Sequence, residues 1–163
     1  MFDKFGEFDS YEELNRAADG FLAEGDLDSL KAMAEENGLS PDDTEDYISG
    51  DVDMLSTQLT AALGKIAVEE KVLKPKDIML DWVNYIQAEC MDQPELAAAV
   101  RRKGKTVKGC IGALLKWAFS HQITIDKDIL DAAGVKAGKV TLGMPGYVEA
   151  RKIIRKYYLG GAK

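Results

Sequence analysis

Apolar residues return every three to four positions along nearly the whole chain, the spacing of helices that bury one face and wet the other. Tyr11, Leu14, Ala17, Ala18, Phe21 and Leu22 make the first such stripe, opened by the capping pair Ser10/Glu13 and closed by Gly25. Asp26 caps a second helix, "LDSLKAMAEEN", which Gly38 ends. Ser40 caps a third, with Pro41 at its first position and Asp43 completing a second box. The spacing of Val52, Leu55, Leu59, Ala62, Leu63 and Ile66 predicts a long fourth helix over 52–71. Pro75 opens a fifth, with Ile78, Trp82, Val83, Ile86 and Cys90 inward, and Asp92 and Pro94 start a short sixth that runs to Arg101. After the turn "RKGK", Thr106 caps a seventh helix with Val107, Cys110, Ile111, Leu114, Leu115 and Phe119 inside. "QITID" and "KVTLGM" alternate as short strands able to pair, with a helical turn from Asp126 to Gly134 between them. Pro145 begins the final helix, whose inward stripe is Val148, Ile153, Ile154 and Tyr157. The prediction is a mainly α fold of seven to eight short amphipathic helices with a small two-stranded β-ribbon near residues 122–143.

Charge divides this pattern in two. The net charge of −7 over 163 residues combines −14 in residues 1–60, where 17 acidic side chains face 3 basic ones, with +7 in the remainder. The sign changes between about 50 and 75, and the chain is read as an acidic helical region, 1–74, packed closely on a second helical region, 75–163. Such asymmetry points to electrostatic partners. B-DNA carries one charge per ~1.7 Å of axis, so an excess of 14 corresponds to about 24 Å of duplex. The three acidic helices each span about 15–21 Å at 1.5 Å per residue. Their linear charge density is of nucleic-acid order.

Enzyme chemistry finds little footing. "KGKT" (103–106) looks like the end of a phosphate-binding loop, but the position that needs glycine is Ala99 and a helix, not a strand, precedes it. The sole histidine, His121, suits a helix C-terminus. Cys90 and Cys110 sit on apolar stripes, with no CxxC pair, and read as buried free thiols. No catalytic residue, metal site or cofactor is expected. The start lacks the basic-then-apolar order of a signal peptide, and the run "CIGALLKWAF" is short for a span and holds Lys116. The expectation is a protein of the bacterial cytoplasm that does not enter a membrane.

Two surfaces remain as candidates. Arg101, Arg102, Lys103, Lys105 and Lys108 cluster across one turn and a helix start, a footprint that can hold phosphates. The alternative is a solvated basic surface, or one that pairs with the acidic half. "LKAMAEENGLSPDDTEDYISG" (30–50) has the layout of a DNA-binding helix-turn-helix, yet its second helix carries Asp42, Asp43, Glu45 and Asp46, with Asp51 and Asp53 just beyond. Carboxylates stand where phosphate contacts would need Lys or Arg. This face repels DNA; it is either a solvated surface that gives solubility or one that suits a basic groove that normally holds nucleic acid.

"DQPELAAAV", "KGKTVKGCIGALLKWAFSH" and "ARKIIRKYYL", between Asp92 and Leu159, resemble the PcfK-like proteins of conjugative elements and phages. The shared pattern falls on Lys105, Thr106, Gly109, Cys110 and Tyr157, which also read as cap and core. The resemblance implies a small accessory protein of mobile DNA rather than an enzyme; some relatives are anti-CRISPR inhibitors of type II RNA-guided nucleases. The leading expectation is an interaction protein that blocks a nucleic-acid-handling protein, such as a CRISPR effector nuclease, through the acidic face. The alternatives are a DNA-binding accessory factor of conjugation using the basic cluster, and a structural homodimer in which the acidic half of one chain meets the basic half of the other.

Overall fold

A computed structural model describes residues 1–160. The described residues form nine helices and one two-stranded ribbon. They are α1 (Tyr11–Glu24), α2 (Leu27–Glu36), α3 (Pro41–Ser49), α4 (Gln58–Leu73), α5 (Ile78–Asp92), α6 (Pro94–Arg101), α7 (Val107–Ser120), α8 (Lys127–Ala132) and α9 (Tyr147–Leu159). β1 (Ile123–Thr124) pairs antiparallel with β2 (Thr141–Leu142), in the register Ile123 opposite Leu142. The mainly α fold and the ribbon expected from the sequence are both present. The six-residue α8 takes the helix count past the seven to eight expected.

Caps fix most boundaries. The Ser10, Asp26, Ser40 and Thr106 side chains each accept a backbone N–H from the first turn of the helix they precede. The fourth helix departs from expectation, beginning at Gln58 rather than near 52. Asn15 of α1 explains the delay. Its side chain donates to the Ser56 carbonyl at 2.7 Å and accepts the Ser56 N–H at 2.9 Å, holding that peptide out of a helix. Thr57 and Thr60 then cap one another reciprocally. Leu55 reaches the core from this irregular segment, whereas Val52 is exposed.

Two apolar clusters share one wall. Leu14, Leu30, Met33, Tyr47 and Leu55 form the first, closed by Ala61 of α4. Ala62 and Ile66, from the next faces of α4, belong to the second, with Trp82, Val83, Ile86, Leu96, Leu114 and Ile154. The α2–α3 turn presses on this wall backbone to backbone. Gly38 has φ +73°, and a Cβ there would fall 2.3 Å from the Gly64 carbonyl oxygen of α4; one on Gly64 would fall 2.5 Å from the Asn37 oxygen. Both positions therefore need glycine.

Three stripe assignments change. Phe119 is 75% exposed, because the buried row of α7 runs through Leu114 and Ala118 and Phe119 sits one position beyond it, and Ile78 lies open at the first turn of α5. On α9 the inward stripe is Ala150, Ile154 and Tyr158, one i,i+4 row, so Val148 faces out and Ile153 and Tyr157 are half-buried. Trp82 and Leu114 are buried as expected, and so are Cys90 and Cys110.

Candidate functional site

The acidic face is set by α3. Thr44 and Tyr47 turn inward, and the Tyr47 hydroxyl donates to Asp19 of α1 at 2.6 Å, locking the helix in rotation. Burial, with that carboxylate beside it, pushes the Tyr47 phenol up to about 12. Asp42, Asp43, Glu45 and Asp46 are consequently all exposed, and Asp51 and Asp53 continue the surface along the 51–57 segment. Asp42 and Asp43 lie in the first turn, where the helix dipole favours them. Only Glu45 of the six is ion-paired among the described residues, with Lys31 at 2.6 Å. Beside these carboxylates is a pocket of about 310 Å³, lined by Asp43, Asp46, Val52, Met54, Leu55, Ser56, Thr57 and Thr60. Val52 and Met54 are 42% and 46% exposed and give it apolar lining next to two carboxylates.

The basic cluster does not form one surface. Arg101 is 1% exposed, and its guanidinium donates to the Asn37 side-chain oxygen at 2.6 Å, below the surface and out of reach of a phosphate. Burial pushes that guanidinium down to about 10, still cationic at neutral pH. Lys103 meets α1: its N–H donates to Asp9 at 2.8 Å and its ammonium lies 3.6 Å from Glu13. Lys105 turns toward α9 and donates to the Tyr157 carbonyl. Arg102 and Lys108 are exposed. Of the five, Lys103 alone is ion-paired with the acidic half among the described residues.

Beneath that turn lies a buried charge group that the stripe pattern did not reveal. Lys65 of α4 is 1% exposed; its ammonium pairs with Glu7, donates to the Arg102 carbonyl at 2.8 Å, and stands 4.0 Å from Glu69. Glu69 accepts the Val107 N–H at the start of α7. Burial lowers the Lys65 pKa and raises that of Glu69, in both cases outweighing the attraction of the partner charges. With Arg101, these side chains tie the N-terminal segment and α4 to the α6–α7 turn. Lys65 and Glu69 occupy i,i+4 positions on the inward side of α4; charged residues at core spacing were the available signal.

The residues singled out by the PcfK resemblance interlock. The Tyr157 hydroxyl accepts the Thr106 N–H at 3.0 Å, and the Thr106 hydroxyl accepts the Gly109 N–H at 3.0 Å. Lys105 lies 5.0 Å from the Tyr157 ring centroid. A Cβ on Gly109 would fall 2.2 Å from the Tyr157 hydroxyl oxygen, so glycine lets α9 close on α7. Cys110 is fully buried, which pushes its thiol up to about 12. The five residues act here as cap and core.

Among the described residues no group of three or more His, Cys, Asp or Glu is placed to hold a metal ion, and no helix is long and apolar enough to cross a membrane. Comparison with protein-family models, with curated proteins and with solved structures returns no match.

Proposed function

We propose that this chain is an interaction protein whose acidic face, on α3 and the 51–57 segment, docks into a basic groove that otherwise holds nucleic acid. The observation that carries the reading is the pocket beside α3. Asp43 and Asp46 stand next to the apolar Val52, Met54 and Leu55, in a space of about 310 Å³. A Lys or Arg side chain is an aliphatic stem with a cationic head, and this pairing of surfaces matches both parts. Flanking Asp42, Asp51 and Asp53 extend the negative field that would steer a basic partner inward. Together with the resemblance to PcfK-like proteins, this favours a mobile-element product that inhibits a type II RNA-guided nuclease by occupying its nucleic-acid groove.

The test is plasmid cleavage by type II RNA-guided nucleases with and without the full chain. Inhibition by the natural sequence, lost in a folded Asp42→Lys/Asp43→Lys/Glu45→Lys/Asp46→Lys variant, is the expected result. No inhibition across several such nucleases removes the anti-CRISPR assignment. Inhibition equal in both proteins removes the acidic-face mechanism. Circular dichroism of the variant is compared first, because lysines in the first turn oppose the helix dipole and fray α3.

A further inference from the structure

On the opposite charge half, a groove of about 480 Å³ runs between α7 and α9, lined in part by Lys105, Lys116, Lys156, Trp117, Ser120 and Tyr157. Among the described residues no carboxylate lines it. Helix α7 contains no Asp or Glu, and the only one on α9, Glu149, sits in the first turn and binds Lys152 at 3.3 Å. The other cations of α9 are neutralised on a different side: Arg151 and Arg155 lie 3.6 and 3.4 Å from Glu89 of α5. Lys105, Lys116 and Lys156 form no ion pair among the described residues. Among the described residues, three ammonium groups therefore line one groove without a counter-charge, in a protein whose net charge is −7.

Aromatic surface accompanies them. Trp117 is half-buried and is held by His121, which stacks on it at 4.3 Å between ring centroids with the planes 4° apart. The His121 ring nitrogen also reaches the Trp117 carbonyl at 2.9 Å. Lysines that track phosphates beside an aromatic on which a base can stack are the two components of single-strand recognition. A duplex offers its phosphates but hides its base faces.

We propose that the α7–α9 groove binds a nucleotide unit, with phosphate on Lys105, Lys116 and Lys156 and the base against Trp117. The unit comes either from a single-stranded nucleic acid or from a free nucleotide. The groove lies on helices that carry none of the acidic face, so this inference stands independently of the proposed docking surface.

Tryptophan fluorescence of the full chain reads this directly. Trp82 is 4% exposed, which leaves Trp117 as the indole available to a ligand. The titrants are a thymidine decanucleotide, thymidine monophosphate and a duplex of equal length, at two or more salt concentrations. The expected result is saturable quenching by the decanucleotide, with log affinity falling against log salt at a slope near about −2, for three phosphates at ~0.7 each on a single strand. Trp117→Ala, followed by anisotropy of a labelled decanucleotide, should weaken binding by about 5- to 150-fold, the range for loss of one stacked base. Lys116→Gln/Lys156→Gln changes two exposed positions, and circular dichroism should match the natural protein while the salt slope falls to about −0.7. Equal quenching by the monophosphate, with no gain from length, identifies a free nucleotide as the source. No quenching by either at low salt overturns the proposal. So does decanucleotide binding that the double lysine variant leaves intact, or a duplex bound as tightly as the single strand.

Discussion

Lys65→Met offers a sharp test of the packing account, because the same mutation type at Lys31 has a very different environment. The Lys65 ammonium serves the Glu7 carboxylate and the carbonyls of Arg101 and Arg102, and faces Glu69. Methionine keeps the volume and removes all of this. Glu69, with a side chain 6% exposed, is then a buried carboxylate with its principal cation gone and the Val107 N–H as its remaining hydrogen-bond donor. Breaking a buried pair from one side costs about 3–5 kcal/mol. The Lys31–Glu45 pair is about half exposed on both sides, and its loss costs about 0–1 kcal/mol. Urea denaturation at pH 7, followed by circular dichroism, compares the two variants with the natural protein. Acidification supplies a second reading. The raised pKa of Glu69 means that its contribution to stability is complete below the ordinary carboxylate range and is lost as pH rises through the folded-state value. Removing Lys65 raises that value further, so Lys65→Met should regain more stability than the natural protein as pH falls from neutral toward the ordinary carboxylate range. Glu69→Gln, which keeps an acceptor for Val107, should partly rescue Lys65→Met. A Lys65→Met loss under 1 kcal/mol at pH 7, or no rescue by Glu69→Gln, would refute the reasoning.

Leu114 is fully buried in the second cluster, and Leu114→Ala should cost about 2–5 kcal/mol in urea melts; a loss under half a kcal/mol would put the α7 stripe elsewhere. Gly109→Ala should destabilise, because about 1–3 kcal/mol of overpacking against Tyr157 exceeds the roughly 1 kcal/mol that alanine gains in a helix. That penalty should shrink in a Tyr157→Phe background, which lacks the clashing oxygen, and an unchanged penalty places the conflict elsewhere. Cys90 and Cys110, both buried with thiols pushed up to about 12, should resist a thiol reagent at pH 8 until urea is added; fast labelling of the native protein contradicts that burial.

The helices were legible because their boundaries are local. Ser10, Asp26, Ser40 and Thr106 cap the turns that follow them, and Gly25 and Gly50 end theirs in left-handed conformations, all within a few residues. What failed required contacts across the chain. The late start of α4 depends on Asn15, 41 residues away, and no periodicity within 52–71 contains that information. Phe119 and Val148 lie off the buried rows of α7 and α9, which run through Ala118 and Ala150, and the choice between neighbouring apolar rows is made by the helices packed against them. The exposure of Asp42, Asp43, Glu45 and Asp46 is legible in the pattern, since Thr44 and Tyr47 are the buried pair of α3. In sequence the basic cluster is a run of adjacent residues, whereas the chain turns at Arg102 and buries Arg101 against Asn37, 64 residues away. The α7–α9 groove joins Lys105, Lys116 and Lys156 from separate segments, so sequence adjacency could not assemble it.

The central claim is that the face on α3 and the 51–57 segment is what a basic partner binds, and the association rate with a guide-loaded type II RNA-guided nuclease tests it most directly. The full chain and the folded Asp42→Lys/Asp43→Lys/Glu45→Lys/Asp46→Lys variant are compared at low and at physiological salt. The fourfold change alters the local charge by eight units, since each carboxylate becomes an ammonium. Steering acts over roughly 10 Å at 0.1 M salt, so the natural protein should associate rapidly at low salt and lose much of that advantage as salt rises. The variant should associate at least about tenfold more slowly at low salt and show little salt dependence. Equal association rates for the two proteins at low salt would contradict the claim.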